Sequence, residues 1–153
     1  MTALGQFFSS SRQFIVVGAS SNPDKFGYKV LNWYLTRSLP VIPINPTSKS
    51  ILGVNTCASI TDALNLENLN ENQAIDGFSV SFITAPNVTL NIIQELIEKG
   101  YNSDGKLKAF WFQPGSYNSE IIRKSKEDLK VDTIIGNDCI LVNGDFGISE
   151  AKL

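Results

Sequence analysis

The sequence predicts an α/β protein, an open parallel sheet of about five strands with helices on both faces. Three observations predict it. Short β-rich apolar runs alternate with segments of helical periodicity. The first run, Phe14 to Val17, is continuous rather than alternating, as a strand buried on both faces requires. The strand ends carry Gly, Asn, Pro and Ser, which mark loops. With 153 residues, the chain has the length of one domain with a sizeable core, expected over residues 1–153.

The elements follow in order. Phe14 to Val17 reads as a buried strand ending at Gly18. Gly27 to Ser38 reads as a helix, with Tyr28, Val30, Leu31, Tyr34 and Leu35 at 3–4 spacing and a stop at Leu39-Pro40. Val41 to Ile44 reads as a second strand. Pro43 cannot donate to a ladder, so this strand belongs at an edge or bulge. Asn45 to Ser48 is a loop, Ser59 to Leu66 a short helix, and the polar stretch Glu67 to Gln73 an exposed loop.

Phe78 to Ile83 reads as the third strand, ending at Thr84-Ala85-Pro86. A helix is expected through Lys99, with Asn87 as N-cap, a stripe of Val88, Ile92, Ile93, Leu96 and Ile97, and Gly100 as C-cap. Asn102 to Gly105 is a turn. Lys108 to Phe112 reads as the fourth strand, Ser119 to Lys130 as a charged helix and Val131 to Ile135 as the fifth strand. Ile140 to Leu153 is weakly patterned.

Composition excludes whole classes of chemistry. The chain has no histidine. It therefore lacks a Ser-His-Asp triad, a Cys-His pair, a histidine base and a histidine metal ligand. Its two cysteines, Cys57 and Cys139, cannot by themselves build a thiolate metal site or a disulfide scaffold. The net charge of −2 gives no basic field for nucleic acid. No apolar run reaches the roughly 18 residues of a membrane helix. Met1 to Arg12 lacks the features of a secretory signal, so an intracellular protein with reduced thiols is expected. No G-x-x-x-x-G-K-[ST] loop or G-x-S-x-G elbow occurs, and the aspartates show no pairing that assigns a general base.

Ligands of open parallel sheets bind beyond the carboxyl ends of the strands, where strand order reverses. The first such loop runs from Gly18 to Gly27. Its backbone N–H groups and the following helix end suit a phosphate or pyrophosphate. Ser20 and Ser21 offer hydroxyls, and Lys25 a charge. The dinucleotide fingerprint is incomplete, with Ser20 at its second glycine and Pro23 at its third. From Lys25 through Thr61 there is no Asp or Glu, while Lys25, Lys29, Arg37 and Lys49 occur. NAD-type recognition wants a carboxylate there. A second-strand end with Asn45, Ser48 and Lys49 instead accommodates an extra ribose phosphate, as on coenzyme A or NADP.

The residues Val17-Gly18-Ala19-Ser20, Pro23, Lys25-Phe26-Gly27-Tyr28, Val41-Ile42-Pro43-Ile44-Asn45-Pro46 and Ile51-Leu52-Gly53 together resemble the small stand-alone coenzyme A-binding domain proteins. These are similar to the nucleotide-binding domain of the succinyl-CoA synthetase alpha subunit. Phe110-Trp111-Phe112-Gln113-Pro114-Gly115 resembles the family's W-x-Q-x-G segment, and Asn137-Asp138-Cys139 its Asp-Arg-Cys ending. The resemblance covers about residues 12 to 140 and implies a Rossmann-like sheet holding coenzyme A or an acyl-CoA.

By position, the resemblance implies Gly18, Ser20 and Lys25 at the pyrophosphate. It implies Asn45, Pro46 and Lys49 near the adenosine and its 3′-phosphate. Thr84, Ala85 and Pro86 would line the cleft beside the adenine or pantetheine, with Gln113 and Gly115 further along. Three departures stand out. Asn137-Asp138 replaces Asp-Arg and so reverses a charge, the Asn102–Lys106 turn is longer, and Glu67–Gln73 is expanded.

The synthetase's phosphorylated histidine has no counterpart here. A binding protein without catalysis is therefore expected, acting as carrier, sensor or thiol protector. Two other readings are an NADP-dependent reductase or related nucleotide-binding enzyme, and an interaction module with a decayed ligand site. Cys139 reads as a small buried residue or as a thiol poised toward coenzyme A. Cys57, Trp33 and Trp111 read as packing residues. Ala151-Lys152-Leu153 matches the relaxed form of the peroxisomal Ser-Lys-Leu address. In a eukaryote it implies the import receptor as partner and the peroxisomal matrix as location, and otherwise the cytoplasm is expected.

Overall fold

The computed structural model describes residues 2–66, 75–136 and 139–152. The segment Glu67 to Gln73, the Asn137-Asp138 pair and Leu153 lie outside them. Five strands form one sheet: β1 (Arg12–Val17), β2 (Val41–Ile44), β5 (Gly77–Phe82), β6 (Leu107–Phe112) and β7 (Asp132–Ile134). Their order is β2-β1-β5-β6-β7, and every neighbouring pair is parallel. Strand order reverses between β1 and β5. The short strands β3 (Ser50–Ile51) and β4 (Val54–Asn55) form a separate antiparallel hairpin. Only Gly53, whose φ of +78° serves the turn, hints at this hairpin in the sequence.

Among the described residues, six helices flank the sheet: α1 (Ala3–Phe7), α2 (Phe26–Thr36), α3 (Ile60–Leu64), α4 (Pro86–Glu98), α5 (Ser119–Glu127) and α6 (Ile140–Ala151). Alternate residues of β1 enter opposite cores, as the pleat requires. Ile15 and Val17 pack with α3, α4 and α5, whereas Phe14 and Val16 pack with α1, α2 and α6. On β5, Phe78, Val80 and Phe82 face the first core. Ser79 and Ser81 face the second, and both are fully buried. Their hydroxyls are satisfied there. Ser79 donates to the Phe7 carbonyl at 2.7 Å, and Ser81 pairs with the Tyr34 hydroxyl at 2.8 Å.

The expected position of β2 is borne out. Pro43 aligns with Val16, but its carbonyl points outward and accepts from the Cys57 amide at 3.0 Å. The donor that proline lacks is on the outer edge, where it costs the β1 pairing nothing.

Asn87 is not the N-cap of α4. Ala85 takes that place and Pro86 opens the helix, because a fixed φ and a missing donor both suit the first helical position. At the other end Lys99, not Gly100, is the C-cap, and Gly100 is the left-handed residue that follows it. Its φ is +70°, Gly100 donates to Ile97, and Tyr101 donates to Leu96, the two bonds of a Schellman motif.

Two helices went unread. α1 is a single short segment capped by Thr2. α6 hides its periodicity because its inner face is small: Ile140, Gly144, Gly147, Ile148 and Ala151 are buried or half-buried. Two of its larger apolar residues, Val142 at 79% exposure and Phe146 at 60%, face outward. Small residues let α6 lie close on Trp33 and Phe8. Among the described residues, no helix is long and apolar enough to cross a membrane.

Candidate functional site

A cleft of about 260 Å³ opens where strand order reverses. Val17 and Gly18 close it from β1, Ile44 and Pro46 from β2, and Thr84 from β5. Ala58, Ser59 and Ile60 at the start of α3 form one flank, and Val88, Ile92 and Glu95 of α4 the other. The walls are largely apolar.

Gly18 sits at the bottom with φ +101°. A Cβ here would stand 3.2 Å from both Ile83 Cβ and the Thr84 nitrogen. Glycine therefore serves twice, for the backbone angle and for the close approach of the β1 and β5 ends. Gly27 completes this packing. A Cβ on it would overlap the Gly18 carbonyl oxygen and lie 3.0 Å from its carbon. In the dinucleotide fingerprint the third glycine lets the helix pack on the strand. Here the loop is longer and Gly27 has that role, so Pro23 at the spacing of the fingerprint's third glycine does not prevent it.

Two of the helices that begin around this cleft, α2 and α4, have bare N-termini. α2 starts after Lys25 and α4 after Ala85, with no side-chain cap and no acidic residue in either first turn. By contrast α1, α3 and α5 are capped by Thr2, Ser59 and Asn118. Two uncapped, uncompensated helix ends beside Gly18 and Thr84 make an anion-receptive corner.

The residues singled out from the sequence divide into three sets. Gly18, Pro46 and Thr84 line the cleft. Ser20, Ser21, Lys25 and Lys49 lie on the loops around it, and Ala85 and Pro86 at the start of α4. Ser21, Lys25 and Lys49 are exposed, and neither lysine makes an ion pair among the described residues. The Ser20 hydroxyl accepts from the Asn22 amide at 3.1 Å and keeps its own proton to donate.

The third set is structural. The Asn45 amide donates to the Ala19 carbonyl at 3.0 Å, and its carbonyl accepts from the Thr47 and Ser48 amides at 2.8 Å each. It thereby fixes the second loop to the first. Gln113 is fully buried, and its Oε1 accepts from the Ile140 amide at 3.0 Å, holding the start of α6. Gly115 is exposed in the next turn with φ +90°. Cys139 is half-buried at the N-cap of α6. Cys57 is half-buried against the core, where burial first and the Asp62 charge second push its thiol up.

Sequence reasoning missed Ala58, Ser59, Ile60, Val88, Ile92 and Glu95. The last three recur at i, i+4 and i+7, so one helix face could have been named. Val88 and Ile92 were assigned to the core stripe instead.

A larger, shallower groove of about 530 Å³ runs along α5 between Tyr117 and Ile135. Arg123 and Lys126 are among its lining residues, but the α5 start that borders it offers no bare helix end. Asn118 already caps α5, and Glu120 occupies its first turn.

An open parallel sheet with a cleft at its crossover defines a doubly wound, Rossmann-like protein. The chain belongs to the coenzyme A-binding domain family, whose pattern it matches over residues 12–145. No match is found among curated proteins. Among solved structures, a conserved hypothetical protein from Pyrococcus furiosus is similar at 32% identity and a TM-score of 0.66, over 86% of this chain and 98% of that one. A hypothetical protein from Pyrococcus horikoshii is similar at 22% identity and a TM-score of 0.64, over 99% and 91%. A Thermus thermophilus protein shares the fold at 18% identity and a TM-score of 0.71, over 96% and 99%.

Proposed function

We propose that this protein binds coenzyme A, free or acylated, in the cleft at the β1–β5 crossover and holds it without chemical change. The observation that carries the reading is the pair of bare helix ends, α2 and α4, flanking Gly18 and Thr84. They suit the pyrophosphate, which bears charge and needs N–H donors. Membership of the coenzyme A-binding domain family supports the choice of ligand. The exposed Lys49 supplies a cation for the 3′-phosphate beside the second-strand loop. Recognition through the nucleotide end leaves the thiol free or acylated, which suits a carrier, sensor or protector of the thiol.

Calorimetric titration with coenzyme A and dephospho-coenzyme A tests this. Coenzyme A should bind more tightly, by about three- to tenfold for one exposed charge-assisted contact. Lys49→Ala should erase that difference. No binding of either ligand at millimolar concentration sinks the proposal.

A further inference from the structure

The cleft has one acidic wall residue, and its position is informative. α4 presents Val88, Ile92 and Glu95 to the cleft at i, i+4 and i+7. Across from them stands Ile60, at the start of α3. These apolar side chains line the cleft, and of the three α4 residues Glu95 is the farthest from the helix start. The Glu95 carboxylate is half-buried at 45% exposure, and Oε1 is held by the Lys99 ammonium at 2.7 Å. Its other oxygen has no hydrogen-bond partner among the described residues.

We infer that Glu95 reads the exocyclic amine of a purine seated between Ile60, Val88 and Ile92, and so sets both the base preference and the direction of the bound nucleotide. The inference rests on the nucleotide-binding reading of the same cleft. An ionised carboxylate only accepts hydrogen bonds. It therefore suits the amino group of adenine and opposes an oxygen at the same position, as in hypoxanthine. It also repels phosphate. The phosphates are thereby kept at the bare helix ends by Gly18 and Thr84, and the base is placed toward Glu95. Pro86 and Glu95 are nine residues apart on α4, about 13–14 Å of helix. That spacing separates an anion end from a base end. Lys99 holds the carboxylate in place and lies at the rim, where it is exposed.

The test uses the full chain and two probes, adenosine 3′,5′-bisphosphate and inosine 3′,5′-bisphosphate, titrated by calorimetry alongside coenzyme A. The wild-type protein should bind the adenosine probe about tenfold more tightly, the scale of one charge-assisted hydrogen bond at a half-exposed site. Glu95→Gln offers both a donor and an acceptor. It should narrow the ratio to about twofold, mainly by binding the inosine probe better. Its melting temperature should match wild type, since the side chain is not part of the core. Equal binding of the two probes by wild type, or an unchanged ratio in Glu95→Gln, overturns the role of Glu95. If coenzyme A binds in either case, the ligand assignment stands and only this inference fails. No binding of coenzyme A or of either probe overturns the proposed function and this inference with it.

Discussion

Gly27 lies directly on the backbone of Gly18. A Cβ at position 27 would overlap the Gly18 carbonyl oxygen and stand 3.2 Å from the Ala19 Cα. This contact sets the distance between the first turn of α2 and the end of β1, and hence the shape of the anion-receptive corner. Gly27→Ala should cost about 1–3 kcal/mol of stability, the range for overpacking against backbone that cannot yield. It should also weaken coenzyme A binding by tenfold or more, because α2 must move away. Chemical denaturation and calorimetry check the two effects separately. Unchanged binding in a folded Gly27→Ala protein would mean that α2 does not help form the site.

Gly144 makes a similar contact on α6. A Cβ there would overlap the Trp33 ring, 2.7 Å from Cη2. Gly144→Ala should shift the Trp33 side chain or lift α6. A loss of about 1–3 kcal/mol is expected, with a change in tryptophan fluorescence. Greater helix propensity would by itself favour alanine by roughly 1 kcal/mol. A net stabilisation would show that α6 is not closely seated on α2.

Tyr34 and Ser81 form a fully buried hydroxyl pair. Burial raises the Tyr34 phenol, partly offset by the bond to Ser81, so it stays neutral through the physiological range. Tyr34→Phe leaves the Ser81 hydroxyl without this partner, and Ser81→Ala does the same to Tyr34. Each should cost about 1–2 kcal/mol. The double variant should cost less than the two losses added, and denaturation of all four proteins measures the coupling. Additive losses would remove the pair from the list of stabilising contacts.

Arg37 joins α2 to α6 through Asp145, at 2.6 and 2.9 Å, while stacking 4.2 Å over the Trp33 ring. The hydrogen bond to Arg37 holds the Asp145 carboxyl below its usual range. The stabilisation is therefore present above the unfolded pKa, about 3.9, and is lost as pH falls through the depressed folded value. Both groups are solvent-screened, so the effect is small and weakens with salt. Asp145→Asn should lower the melting temperature slightly at pH 7 and converge with wild type as pH falls through the depressed folded value. A constant difference across that range would show that Asp145 acts by packing rather than charge.

The strands of the parallel sheet were legible because each lies in a short β-rich segment closed by a loop residue. Pro43 even marked its strand as an edge. The first loop was legible for the same reason, since Gly18 ends a strand and Gly27 begins a helix. Three features were not. α6 packs through Gly144 and Gly147, so the residues that face the core are the ones a hydrophobic count ignores. Gln113 was placed along the ligand path by resemblance, whereas its carbonyl holds the Ile140 amide. That bond joins residues 27 apart in sequence, with no local pattern to announce it. The α3–α4 flank of the cleft was hidden because Val88 and Ile92 look like ordinary core positions. Only the crossover between β1 and β5 turns that face of α4 toward an opening.

The central claim is the place where coenzyme A binds. A ¹H–¹⁵N correlation spectrum of the full chain, recorded with increasing coenzyme A, tests it most directly. The amides of Gly18, Gly27, Thr84 and Val88 should shift first and saturate together, with those along α5 near Tyr117 and Ile135 unmoved. Shifts centred on the α5 groove, or no shifts at millimolar ligand, would contradict the account.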